Sequence, residues 1–237
     1  MTRVSKLGQP RIGLIQFPGS NCDADCVDAF KRLFDIDIQL VWHEAHELPA
    51  LDGVILPGGF SYGDYLRGGA LASCSPIMGA VKTFAGKGGP IIGICNGFQV
   101  LTESQLLPGT LLKNASQTFI CQYAYLKVAA GNSGYHQRLQ GNLYKVPIAH
   151  GEGRFFVPAD QLKALQDKGQ ILFQYADAEG NVNDSTSPNG AVANIAGIVS
   201  ENGRILGMMP HPERASDALL GSNDGQPILE AFLATVL

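Results

Sequence analysis

One cysteine lies where a strand-like run passes into a helix-like one, in Pro90-Ile-Ile-Gly-Ile-Cys95-Asn-Gly-Phe-Gln99. Gly93 and Gly97 flank it at two residues on either side, which is the nucleophile-elbow pattern with a thiol in place of a hydroxyl. Side chains at those two positions would collide across so sharp a turn. The start of the following helix favours a thiolate, and the N–H of Asn96 points where an oxyanion would form. A thiolate nucleophile needs a base held by a third group. Two His-x-Glu pairs supply that chemistry, His150-Gly-Glu152 and His211-Pro-Glu213, each after a strand-like run. Spacing does not choose between them. Leu56-Pro-Gly-Gly-Phe60 ends another apolar run, and backbone N–H groups at such a turn can complete an oxyanion hole.

These residues need a scaffold that brings strand ends together. Ile12–Phe17, Ile36–Val41, Val54–Leu56 and Ile91–Ile94 read as short buried strands. Helical patterns over Asn21–Phe34, Arg67–Ser73, Pro76–Lys87 and Phe98–Gln105 alternate with them. In the first helix Cys22, Cys26, Phe30 and Leu33 share a face, with Asn21 as the expected cap. The alternation predicts a parallel sheet covered on both sides. The second half is richer in strands: Phe119–Val128, Asn142–Ile148, Ile171–Tyr175, Val192–Val199 and Ile205–Met209. Helices are expected over Asp160–Lys168 and Gln226–Val236. Asn202-Gly203 marks a hairpin between the last two strands. His43, His46 and His136 lie in polar loop-like settings and read as surface residues. Asp64 and Arg67 read as loop-ordering or partner-facing charges.

The 237 residues suit one large domain. Charged residues are 16% of the chain, against about 25% in an average soluble domain, so part of the surface is expected to meet a partner. The net charge of −4 and the lack of Lys/Arg runs speak against nucleic acid. No apolar stretch approaches the ~18 residues of a membrane span, and the first ten residues lack the apolar core of a signal peptide. Five cysteines without CxxC spacing suggest neither disulfides nor zinc. With no Walker loop and no GxGxxG, no cofactor or metal is expected in this chain, and the protein reads as cytoplasmic.

Taken in order, Leu56-Pro-Gly-Gly59, Gly93-Ile-Cys95-Asn-Gly97-Phe-Gln99 and His211-Pro-Glu213 resemble the three signatures of class I, triad-type glutamine amidotransferases. Phe60-Ser-Tyr-Gly-Asp-Tyr-Leu-Arg-Gly-Gly69, Ala149-His-Gly-Glu-Gly-Arg154 and Gly207-Met-Met-Pro-His-Pro-Glu-Arg214 are similar to the glutaminase subunits of phosphoribosylformylglycinamidine synthase. The resemblance implies an α/β fold, a flavodoxin-like three-layer sandwich with a mostly parallel sheet and extra antiparallel strands. It covers residues 11–237 as one amidotransferase domain, with 1–10 as an N-terminal extension. It also separates the two histidines. Cys95 becomes the nucleophile, His211 the acid/base and Glu213 its orienter. Gly59 and Asn96 become the oxyanion donors, and Gln99, Thr118, Phe119 and His150 candidate contacts to glutamine. The implied partners are an ATP- and Mg²⁺-dependent synthetase subunit and a small bridging subunit. A stand-alone cysteine hydrolase and a non-catalytic binding subunit are the competing classes.

Overall fold

The computed structural model describes residues 9–139 and 141–237. Of the expected N-terminal extension, only Gln9 and Pro10 fall among them, and neither takes regular structure. The chain begins β1 (Ile12–Gln16), α1 (Asp23–Phe34), β2 (Gln39–Trp42), β3 (Gly53–Leu56), α2 (Ala70–Ser73) and α3 (Ile77–Gly86). It continues with β4 (Ile91–Ile94), α4 (Asn96–Glu103), β5 (Thr110–Leu112), β6 (Ile120–Val128) and α5 (Gly134–Leu139). The remainder is β7 (Leu143–His150), β8 (Arg154–Phe156), α6 (Ala159–Asp167), β9 (Ile171–Ala176), β10 (Ile195–Val199), β11 (Ile205–Met208) and α7 (Gln226–Val236).

Nine strands form one sheet in the order β2-β1-β3-β4-β11-β10-β9-β6-β7. The five from β2 to β11 are parallel, and the four beyond them pair antiparallel. Strands β3, β4 and β11 are buried at every residue, which requires cover on both faces. Helices supply that cover. Phe30 of α1 meets Phe232 of α7 with ring centroids 6.3 Å apart, and Phe98 of α4 stacks on Phe155 at 5.8 Å. β5 and β8 form a separate two-stranded ladder. The first strand order is the doubly wound one, whose ligands gather beyond the carboxyl ends of the strands where the order reverses, here between β1 and β3.

Several expectations shift. Cys22, not Asn21, holds the N-cap position of α1, and the Asn21 side chain accepts from the Cys22 thiol instead. The second strand starts at Gln39 rather than Ile36, because Ile36 closes α1. Asp35 turns left-handed there, and the Ile36 N–H returns to the Phe30 carbonyl. Helix α2 covers only Ala70–Ser73, since Gly68-Gly69 must first run close under α4. Val192–Asn194 forms a 3₁₀ turn before β10. His136 and His43 are buried, not exposed. His136 sits on α5, an element the sequence pattern did not reveal, with its ring between the Ser133 hydroxyl at 2.7 Å and the Ile171 carbonyl at 2.9 Å.

Candidate active site

Cys95 joins β4 to α4 at φ 51° and ψ −106°, left-handed backbone for a residue with a Cβ. Two anchors hold it there. Its N–H donates to the Met208 carbonyl at 2.8 Å, and its own carbonyl accepts from Phe98 and Gln99 as α4 begins. Gly97 lets this helix approach β3: a Cβ on it would fall on the Leu56 carbonyl oxygen. Strain of this kind costs about 1–3 kcal/mol and persists only where the surroundings over-determine it. The Cys95 side chain is almost fully buried, with its Sγ 3.7 Å from the Ala149 carbonyl at the end of β7.

His211 follows β11 and faces the same small cavity as Cys95. A hydrogen bond from its N–H to the Pro147 carbonyl, 2.8 Å long, ties this turn to β7. Nδ1 lies 2.6 Å from Glu213 Oε1, and both side chains are buried. Pro212 between them opens a 3₁₀ turn over Pro212–Ala215, and the Ser216 hydroxyl donates to the Glu213 carbonyl at 2.7 Å. Burial works against a charged imidazole. Glu213 and then the Cys95 sulfur overcome it and hold the His211 pKa well above its ordinary value. His211 Nε2 has no hydrogen-bond partner among the described residues, so it is free to serve the cavity.

The cavity, about 90 Å³, is lined from the ends of five strands: Asn21 and Cys22 after β1, Gly59 and Phe60 after β3, Cys95 after β4, Ala149 of β7, and His211 and Arg214 after β11. Phe119 completes it, its ring 6.2 Å from that of Phe60. Gly59 has φ 145°, and a Cβ there would lie 2.7 Å from the Gly19 carbonyl oxygen and 2.8 Å from the Asn21 nitrogen. Only glycine fits this wall. The Asn96 N–H is the first of α4, where no intrahelical acceptor exists.

The remaining candidate residues stand behind this lining. Gln99 is buried and commits both ends of its amide: Oε1 accepts from Asn96 Nδ2 at 2.7 Å, and Nε2 donates to the Glu152 carbonyl at 2.6 Å. Asn96 Oδ1 accepts from the Ser61 N–H at 3.2 Å, and the Glu152 carboxylate accepts from the Gly68 N–H at 3.0 Å. The loop 60–69 is thereby fastened to α4 and to the segment after β7. Asp64 lies inside this fastening, where burial and then the neighbouring Glu152 raise its pKa to about 6. Thr118 offers its carbonyl to Asn114 Nδ2 at 2.9 Å. His150 Nδ1 is 3.0 Å from Asn114 Oδ1, and burial followed by the charge of His211 lowers its pKa to about 4. His150 is therefore a neutral ring at ordinary pH.

The sequence matches the CobB/CobQ-like glutamine amidotransferase domain over residues 9–228. A PurQ subunit of phosphoribosylformylglycinamidine synthase from Chlorobaculum parvum is 47% identical over 94% of this chain and 89% of its own length. The chain belongs to the PurQ family. The corresponding PurQ subunit of Aquifex aeolicus is 49% identical, over 92% of this chain and 96% of the relative. Among solved structures, one described as PurLQS from Thermotoga maritima superposes with a TM-score of 0.83 at 36% identity, covering 96% of this chain and 99% of that one. The PurQ-family strings at Phe60–Gly69 and Ala149–Arg154 are the segments that meet in the Asn96–Gln99–Glu152 network. Sequence reading missed Asn114, which holds His150 in place, and the approach of Cys22 to His211. No spacing pattern marks either, since both arise from contacts between distant loops.

Proposed function

We propose that this chain is the glutaminase of a phosphoribosylformylglycinamidine synthase, with residues 11–237 acting as one amidotransferase domain. It hydrolyses L-glutamine to glutamate and ammonia in the cytoplasm. The ammonia goes to a PurL-type synthetase, which uses ATP and Mg²⁺ to convert formylglycinamide ribonucleotide to its amidine in purine synthesis. A small PurS-type subunit bridges the two. The observation that carries this reading is Cys95 on its strained elbow, sharing a buried cavity with a histidine whose Nδ1 is 2.6 Å from Glu213. PurQ relatives and the PurLQS structure support the choice of pathway and partners.

The Cys95 thiolate attacks the side-chain carbonyl carbon of glutamine, and the N–H groups of Gly59 and Asn96 hold the resulting oxyanion. His211, protonated and steadied by Glu213, gives its proton to the departing nitrogen. Ammonia leaves and a γ-glutamyl thioester remains on Cys95. His211 then takes a proton from water as its oxygen attacks the thioester, releasing glutamate and restoring the thiolate. Phe119 meets the substrate at the cavity mouth, while Gln99, Thr118 and His150 support the lining from behind. The chain itself binds no cofactor for this reaction. The test is Cys95→Ala in the reconstituted complex. Glutamine-dependent synthesis falls to background and synthesis from added ammonium survives, because free ammonia bypasses amide cleavage. Loss of both activities in an assembled complex contradicts the reading.

A further inference from the structure

Cys22 has no part in the proposed hydrolysis, yet it lines the same cavity as His211 and its thiol lies beside the His211–Glu213 pair. One ligand-type atom from each of Cys22, His211 and Glu213 comes within 4.8 Å of the other two, and all three residues are buried. Two of the polar atoms in this group, His211 Nε2 and Glu213 Oε2, are buried without a hydrogen-bond partner among the described residues. Such atoms are rarely left unpaired in a protein interior, and each calls for a partner. The Cys22 thiol is 3.3 Å from Asn21 Oδ1 and is a neighbour of the His211 ring.

We propose that Cys22, His211 and Glu213 bind a thiophilic divalent cation, Zn²⁺ above all, and that its binding takes the His211–Glu213 pair out of the reaction. A thiolate, an imidazole and a carboxylate are ligands of tetrahedral zinc, and three protein ligands leave the fourth position open. The two negative charges balance a divalent ion in a place too buried to hold them unpaired. The ligands are also held close before any ion arrives. A Cβ on Gly58 would lie 2.8 Å from His211 Cε1 and 2.9 Å from Cys22 Sγ, so both side chains press on the same backbone. The Cys22 N–H is fastened to that residue's carbonyl at 3.3 Å. Entry is available from two sides. The small cavity reaches Cys22 and His211, and a larger depression of about 660 Å³, running past Pro147 and Leu220, reaches His211 and Glu213.

No electron moves in this step. The ion binds, the Cys22 thiol gives up its proton to water, and one imidazole nitrogen is occupied, so affinity rises with pH. An imidazole so committed cannot exchange a proton with Cys95. The consequence is reversible inhibition of glutamine hydrolysis by zinc through a residue outside the catalytic set.

The test uses the full chain with the exposed Cys74 and Cys121 replaced by Ala. Co²⁺ reports thiolate ligation by its charge-transfer absorption, and Zn²⁺ affinity is read by competition with a chromophoric chelator. In this background, and with Cys95→Ala added, one ion binds per chain and the Co²⁺ band appears. With Cys22→Ala or Cys22→Ser the band is lost and Zn²⁺ binds at least about tenfold more weakly. Inhibition of glutaminase in the complex, each variant measured against its own metal-free rate, weakens in parallel. A band that survives loss of Cys22, or one that disappears with Cys95→Ala, overturns the site, as does the absence of any band in the starting protein. Metal binding is read without turnover, so its failure leaves the glutaminase reading untouched, and the converse holds for Cys95→Ala.

Discussion

Replacing Glu213 by Gln removes one charge and almost no volume from the buried pair, and the consequences follow from the geometry around His211. In the native protein the carboxylate accepts from Nδ1 at 2.6 Å, which fixes the ring and stabilises the imidazolium. The imidazole is buried, and burial alone favours its neutral form. A Gln carbonyl can still accept the Nδ1 proton, so orientation survives and the loss is chiefly electrostatic. A hydrogen bond to a charged group contributes about 1.5–3 kcal/mol. At about 1.4 kcal/mol per tenfold, kcat/KM for glutamine falls roughly 10- to 150-fold if that interaction is fully expressed in the transition state. The larger value of ~10⁴ known for a triad whose orienter is neutralised applies if the amide turns and imposes the wrong tautomer. The pH profile separates this account from simple damage. With Glu213 gone, burial pulls the His211 pKa down, so the basic limb of the glutaminase profile moves to lower pH. The assay is glutamate release by the assembled complex across pH, with ammonia-dependent synthesis as the control for assembly. A loss below about threefold with an unmoved basic limb refutes the role given to Glu213.

The two histidines give a second contrast. His211→Asn costs about 10²–10⁴-fold in thioester formation, whereas His150→Asn costs less than about tenfold, because a ring with a pKa of about 4 has no proton to give at neutral pH; equal losses would undo the assignment. Asp64→Asn tests the loop 60–69. Asp64 has a folded pKa of about 6, above its unfolded value near 3.9, so the wild-type protein loses stability as pH rises through that interval. The variant is therefore more stable at pH 7.5, by about 1 kcal/mol after allowance for partial exposure, and equal to wild type near pH 4. Asn tolerates the positive φ of 52° at this position. Thermal melts at the two pH values check it, and a variant no more stable at pH 7.5 sinks the idea.

The site depends on a division within the sheet. The parallel core brings Cys95, Gly59 and His211 to one edge because β3, β4 and β11 are neighbours and run in the same direction. The antiparallel extension brings β7 back across the top, where Ala149 meets the Cys95 thiol and Pro147 anchors the His211 turn. Removing the extension would leave Cys95 and His211 without their outer wall.

Local pattern determined a good deal about this protein. The elbow at Cys95 is legible because a strand, two glycines and a helix start are all short-range features, and sterics allows few residues there. The His211-Pro-Glu213 pair is legible for the same reason, since its two members contact each other along three residues of chain. β4 and α7 have the boundaries their apolar runs predict, because β4 is buried at every residue and α7 buries Ile228, Leu229, Ala231, Phe232 and Leu233 against the fold. What local pattern left open was decided by contacts between distant segments. His211 and His150 each have a glutamate two residues on, and only the fold sets one at the cavity with Cys95 and seats the other against Asn114. Cys22 reads as an apolar-face residue of α1, and becomes a neighbour of the triad only because β1 ends where β11 ends. Ile36 reads as strand but serves the end of α1, and His136 reads as surface but is covered by the chain at Ile171. In each case the residue type permitted more than one environment, and the packing of remote elements selected one.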